Sequence, residues 1–245
     1  MNKKTYQPLV VLLCLCISVK LFLLQNQSLK AVSTTGNNSP QIVKSGSKKQ
    51  KIIALTFDDG PHPTYTPQIL DLLQENNAKA TFFVLGMYAQ RYPDIIKRQA
   101  KEGHEIGNHT FSHIDVNNVS KEKVVDEFLT TQEIITSLTG IKPKVFRPPY
   151  GLYNTKVMDI AIESKCSIIL WSTFQDSKDW SNPGVDQIVN TTFSELENGD
   201  IILFHDYVYK EESHTVEALK TILPELKKKG YQFVTISELL ELSEN

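Results

Sequence analysis

Residues 1–50 contain no acidic side chain and no arginine, only seven lysines. The full chain of 245 residues carries 26 basic and 28 acidic side chains, so residues 51–245 hold 19 basic against 28 acidic, a net of −9. That acidic part excludes nucleic acid as the main partner. Cysteine is scarce: Cys14 and Cys16 lie in an apolar run and Cys166 in a predicted buried strand. This arrangement offers no disulfide framework, and Cys166 reads as a small core hydrophobe. No repeat of about 20–50 residues is present, which excludes a solenoid. No uninterrupted apolar run reaches the roughly 20 residues of a membrane-spanning helix. The nearest is PLVVLLCLCISVKLFLL, residues 8–24, which has Lys20 inside it.

What is present at the N-terminus is MNKK followed by that run, the pattern of a segment directed to export. Lys20 lies near its outer end and can snorkel to an interface. Cleavage after Ala31 would place Leu29 where a small residue is wanted, so an uncleaved signal-anchor over residues 1–24 is expected, with a cleaved signal peptide as the alternative. LCLC lacks the small residue that bacterial lipidation requires. Residues 25–50 are polar, rich in Ser, Asn and Gly, and free of aromatics. They read as a flexible linker. The globular part, residues 51–245, is therefore expected outside the cytoplasm.

From Lys51 onward the chain alternates. KIIALTF, ATFFVLG, HEIGNH, KVFRPPYG, CSIILWS, DIILFHD and YQFVTI read as seven strands. Amphipathic helices separate them, one opened by Ser120 as N-cap and ended by Gly140, another interrupted at Pro224. Apolar strands alternating with helices predict a parallel sheet with helices outside, an α/β fold that closes into a deformed (β/α) barrel of about seven strands. Such barrels gather reactive groups at the C-terminal ends of strands. Here Asp58–Asp59, His109–His113, Arg147–Tyr150, Asp176–Trp180 and His205 all follow strands.

DDG alone reads as a solvated turn, and HxxxH alone more often marks exposed or core histidines than a metal site. Together they suggest more. His109 and His113, four apart, face one side if they occupy a helical turn. With one aspartate they form a three-ligand site whose remaining positions stay open, a catalytic arrangement. Adjacent strand residues point differently, so one aspartate can bind the cation while the other faces the attacking water as general base. His62, His104 and His214 are assigned no role.

TFDDG, HTFSH, RPPYG, DSKDW and LFH, in this order over residues 51–240, resemble the five motifs of the polysaccharide deacetylase family of metal-dependent carbohydrate esterases. The resemblance implies a divalent metal, commonly Zn2+ with Co2+ or Ni2+ possible, held by Asp59, His109 and His113. It implies Asp58 as base and His205 as acid. In that setting Arg147 would orient Asp58 through a bidentate pair, and Asp179 would tune His205. After two prolines without N–H groups, the first free backbone donor is Tyr150, a candidate for the oxyanion. Trp180 and Leu203, with Tyr150, would shape the acyl pocket. Asp176 is a weaker candidate that could only shape its loop. The implied activity is removal of N-acetyl groups from N-acetylglucosamine units of an extracellular glycan. Peptidoglycan is the leading substrate, because an anchor would place the enzyme beside a wall. A chitin or chitooligosaccharide N-deacetylase, an acetylxylan O-deacetylase, or a non-catalytic glycan-binding wall protein are the alternatives. A monomer is expected.

Overall fold

A computed structural model describes residues 41–244. The expected signal-anchor and the linker up to residue 40 lie outside these residues. Among the described residues no helix is long and apolar enough to cross a membrane.

Eight parallel strands form a curved sheet: β1 (Ile42–Val43), β2 (Ile52–Asp58), β3 (Ala80–Val84), β4 (Glu105–Asn108), β5 (Val145–Phe146), β6 (Ser167–Ile169), β7 (Ile201–His205) and β8 (Gln232–Phe233). Their order is β1-β6-β5-β4-β3-β2-β7, with β8 paired to the start of β2. The seven expected strands are β2 to β8. The sheet is a parallel half-barrel rather than a regularly closed one. An isolated antiparallel bridge, Ser45 to Asp200, crosses the seam between the β1 and β7 edges. The helices are α1 (Tyr65–Glu75), α2 (Gly86–Arg91), α3 (Pro93–Lys101), α4 (Lys121–Thr139), α5 (Thr155–Ser164), α6 (Val185–Phe193), α7 (Thr215–Lys228) and α8 (Ile236–Glu244).

The period of two along β2 divides its side chains. Ile53, Leu55 and Phe57 join the large core beneath α1 and α7. Ile52 and Ala54 face the sheet's inner side, where Ile236 and Leu239 of α8 fill one end. Thr56 and Asp58 continue that inner row, which carries Asp58 to the C-terminal rim. Ser120 caps α4 by accepting the Lys123 N–H at 3.3 Å, and Gly140 ends the helix at φ 73°. Pro224 leaves α7 one continuous helix. The carbonyl deprived of a partner is that of the exposed Lys220, which water can serve. Cys166 is a buried free thiol, its pKa pushed up to about 11 by burial.

The linker boundary at residue 50 requires correction. β1 pairs with β6, Val43 is buried, Gly46 N–H donates to Gly199 O at 2.7 Å, and Ser47 N–H donates to Ser243 Oγ at 2.8 Å. Two strand residues carry too short a pattern to stand out from a polar stretch. A chain beginning at Lys48 should therefore unfold at lower temperature than one beginning at Gln41. It lacks Val43, whose burial is worth about 1.5–3 kcal/mol, and leaves one edge of β6 unpaired. Equal melting temperatures would show that β1 contributes nothing to stability.

Candidate active site

β2 ends in the aspartate pair. Asp58 is still in the strand, while Asp59 takes a left-handed backbone, φ 72°. Asp and Asn tolerate that region better than most residues. The change of hand turns the second carboxylate away from strand alternation, so both reach one cavity. The loop after β4 brings His109 and His113. The expected helical turn is absent there: Thr110 and His113 have φ 69° and 58°, and residues 109–113 form an irregular bend. A spacing of four is compatible with either path.

Asp59 Oδ1 lies 3.4 Å from His109 Nε2 and 3.3 Å from His113 Nε2. His109 Nδ1 is 2.6 Å from the Arg147 carbonyl. A carbonyl only accepts, so Nδ1 carries a proton and Nε2 is the nitrogen turned towards Asp59. Asp59 Oδ1 is buried without a hydrogen-bond partner. Three potential ligand atoms, from Asp59, His109 and His113, thus lie within 4.8 Å of one another. Donors about 2.0–2.2 Å from one tetrahedral cation stand about 3.4 Å apart. The residues fit a divalent metal, and a ring N–H anchored on a carbonyl is the usual support of a ligating histidine. Burial opposes the Asp59 charge, yet His109, His205 and His113 hold its carboxyl below the ordinary carboxylate range. Burial pushes His113 down.

Arg147 is fully buried at the end of β5. Its Nη1 donates to Asp58 Oδ1 at 2.7 Å and to Thr56 Oγ1 at 2.9 Å, while Nη2 and Nε reach the carbonyls of Leu170 and Ile169 at 3.1 and 3.3 Å. The expected bidentate pair is therefore a single contact. The carbonyls ending β6 compete for the rest of the guanidinium fork, and Asp58 Oδ2 is left free, 3.8 Å from His109 Nε2. The Arg147 guanidinium also lies 4.2 Å over the Phe83 ring.

His205 ends β7 and is the register partner of Asp58. Its Nδ1 lies 2.7 Å from Asp179 Oδ1, and Asp179 Oδ2 accepts the His205 N–H and the Thr215 hydroxyl, each at 2.8 Å. Burial disfavours the imidazolium, but Asp179 and the site carboxylates lift its pKa to about 9. A bound cation would offset the share of Asp58 and Asp59, leaving that of Asp179. Replacing Asp179 with Asn should move the alkaline limb of kcat/KM to lower pH by about 1–3 pH units. An unmoved limb would disconnect it from His205. In the metal-free protein this pairing contributes its full stability below 6.5, and the contribution is lost as pH rises through about 9.

Asp58, Asp59, His109, His113 and His205 line a cavity of about 520 Å³ together with Tyr150, Asp176, Trp180 and Leu203. Tyr150 is the middle residue of the Pro149–Gly151 turn at φ 60°, and its ring meets His113 edge-on at 4.6 Å. The first N–H groups of a turn have no partner within it. Leu203 is buried and Trp180 half-exposed. Asp176 is occupied by Lys178, at 2.7 Å. The cavity also takes Trp171, Tyr207, Val208, Tyr209 and Lys210, which motif reading missed. Their signal was position alone: all follow the C-terminal ends of β6 and β7. Of the histidines without a role, His62 Nδ1 accepts the Thr64 and Tyr65 N–H groups that open α1, and His104 Nδ1 accepts the Ala80 N–H.

A family model described as polysaccharide deacetylase matches residues 45–168. A Bacillus cereus protein named peptidoglycan-N-acetylglucosamine deacetylase is 51% identical over 191 residues, 78% of this chain and 89% of that one. The crystal structure of the Bc1960 peptidoglycan N-acetylglucosamine deacetylase, in complex with a naphthalenyl N-oxidanyl-benzamide, superposes with a TM-score of 0.79 at 39% identity, covering 82% of this chain and 94% of that one. BA3943 from Bacillus anthracis, described as a CE4 family pseudoenzyme, superposes at TM-score 0.75 with 30% identity, covering 82% and 69%.

Proposed function

The chain belongs to the polysaccharide deacetylase family, and from that premise we propose that it hydrolyses the N-acetyl groups of N-acetylglucosamine units in peptidoglycan, releasing acetate. The observation that carries the reading is the rim of β2, β4 and β7. There the Asp59–His109–His113 cluster stands beside an aspartate with one free oxygen and an imidazole held protonated by Asp179. Asp59, His109 and His113 would hold the divalent cation, for which Zn2+ suits two imidazoles and one carboxylate. When bound, the cation supplies a Lewis acid that acidifies water and polarises the acetamide carbonyl.

The remaining steps belong to the chain's own groups. Asp58 accepts the proton of the attacking water at Oδ2. Arg147 holds Oδ1 and so orients the carboxylate. The Tyr150 N–H faces the developing oxyanion. His205 donates its Nε2 proton to the departing amine, and Asp179, by retaining the proton at Nδ1, fixes which nitrogen gives one up. Leu203 and Trp180 enclose the acetyl methyl. The basic N-terminus and the apolar run of residues 8–24 support a location outside the cytoplasm, facing the wall.

Acetate release is to be measured from peptidoglycan fragments, chitooligosaccharides and acetylated xylan, before and after chelation and zinc replacement. Peptidoglycan should release acetate fastest, and chelation should stop it. Preference for xylan would make the protein an O-deacetylase. The likeness to BA3943 supports a second reading, a catalytically silent glycan binder; glycan binding with stoichiometric metal and no acetate from any substrate would establish it.

A further inference from the structure

The bend between the two histidines needs a fixing agent, because nothing in its own backbone repeats. Its bonds all run to other elements. The N–H groups of Gly86 and Met87, at the start of α2, donate to the carbonyls of Thr110 and Phe111 at 3.0 and 3.1 Å. The Thr110 N–H donates to Asn108 Oδ1 at 2.8 Å. On the other side stands one carboxylate from α4. Glu127 Oε2 accepts the N–H groups of Phe111 and Ser112 at 3.0 and 2.7 Å, and Oε1 accepts the Ser112 hydroxyl at 2.8 Å. Lys123, one turn earlier, completes the set with its Nζ 3.0 Å from Oε1.

We propose that Glu127 is a positioning residue for the metal site: its buried carboxylate clamps residues 111–112 and so sets where His113 presents Nε2 to Asp59. Glu127 touches neither metal ligand. It acts through the chain that joins them. The side chain is 2% exposed, so its charge belongs to the interior and is spent on this loop and Lys123. When the carboxylate is removed, both backbone N–H groups lose the acceptor that ties the loop to α4. The bend then relaxes. Asp59 and His109 directly follow β2 and β4 and stay in place, and His113, four residues further out with φ 58°, is the ligand that moves.

This rests on the reading of Asp59, His109 and His113 as ligands, and the test separates the two. Zinc dissociation constants are measured on the purified full chain by chelator competition, with melting temperatures of the metal-free proteins. Glu127→Ala should weaken zinc by about 10–100-fold, the usual range for a group that orients a ligand. Glu127→Gln should stay within about threefold, because its amide oxygen can accept both N–H groups and its NH2 can donate to the Ser112 hydroxyl. Leu226→Ala, a destabilising core truncation in α7 far from the loop, should lower the melting temperature and leave zinc affinity unchanged. A Glu127→Ala protein that binds zinc as tightly as the wild type, or no more weakly than Leu226→Ala, overturns the proposal. Should Glu127→Ala fail to fold, Glu127→Asp keeps the charge and withdraws it by one methylene; unchanged zinc affinity there overturns it equally. Wild-type protein that holds no zinc removes the ligand reading itself, and the proposal with it.

Discussion

His113→Ala should leave a folded protein with almost no bound metal and no measurable acetate release. A cation held by three side chains loses a direct bond, and the affinity should fall beyond the 10–100-fold typical of groups that merely orient a ligand. His113 is the informative choice among the three. His109 is fully buried and its Nδ1 holds the Arg147 carbonyl, so its removal disturbs the Asp58–Arg147 region as well. Asp59 sits at the strained end of β2. The His113 side chain is 19% exposed, and burial disfavours its charge in the metal-free protein. The fold therefore gains little from it. Metal analysis after gel filtration, with circular dichroism as the check on folding, reads the outcome. Stoichiometric zinc with normal turnover in His113→Ala would remove this residue from the ligand set.

Asp58→Asn should separate chemistry from metal binding. Asparagine has nearly the same shape and its amide oxygen can still accept from Arg147 Nη1, but it cannot take a proton. A general base contributes about 10²–10⁴-fold, so kcat should fall by that order. Zinc content should stay near one, since Asp58 Oδ2 stands farther from His109 Nε2 than Asp59 Oδ1 does, 3.8 against 3.4 Å. The buried arginine loses its counter-charge. Breaking such a pair outright costs about 3–5 kcal/mol, and the retained acceptor reduces that. A lower melting temperature is thus expected alongside the slower rate, and rates are compared well below it. Loss of zinc with Asp58→Asn would exchange the roles of the two aspartates.

Much of this arrangement was legible before any coordinates. Apolar strands alternating with amphipathic helices are short-range patterns, and they marked β2 to β8 and the parallel sheet. The five motifs are equally local. Their resemblance to the family's motifs named the aspartates, the histidines, Arg147 and Asp179, and the motifs follow strands, on the side where a parallel sheet collects its reactive groups.

Register and partners over long separations carry no such mark. Asp58 meets His205 because β2 and β7 pair at those two residues, although 146 positions separate them. Ile42 and Val43 became a strand only because β6 had an open edge, so a stretch with linker composition belongs to the domain. Arg147 makes one bond to Asp58 instead of two because β6 ends in carbonyls that need its other nitrogens. The spacing of His109 and His113 suited a helical turn, yet a loop formed. The carboxylate that shapes this loop lies on α4, 14 residues past His113, and side-chain hydrogen bonds over that distance leave no period in the chain. Local propensity and periodicity chose the elements and the chemistry; packing of distant elements chose which atoms face one another.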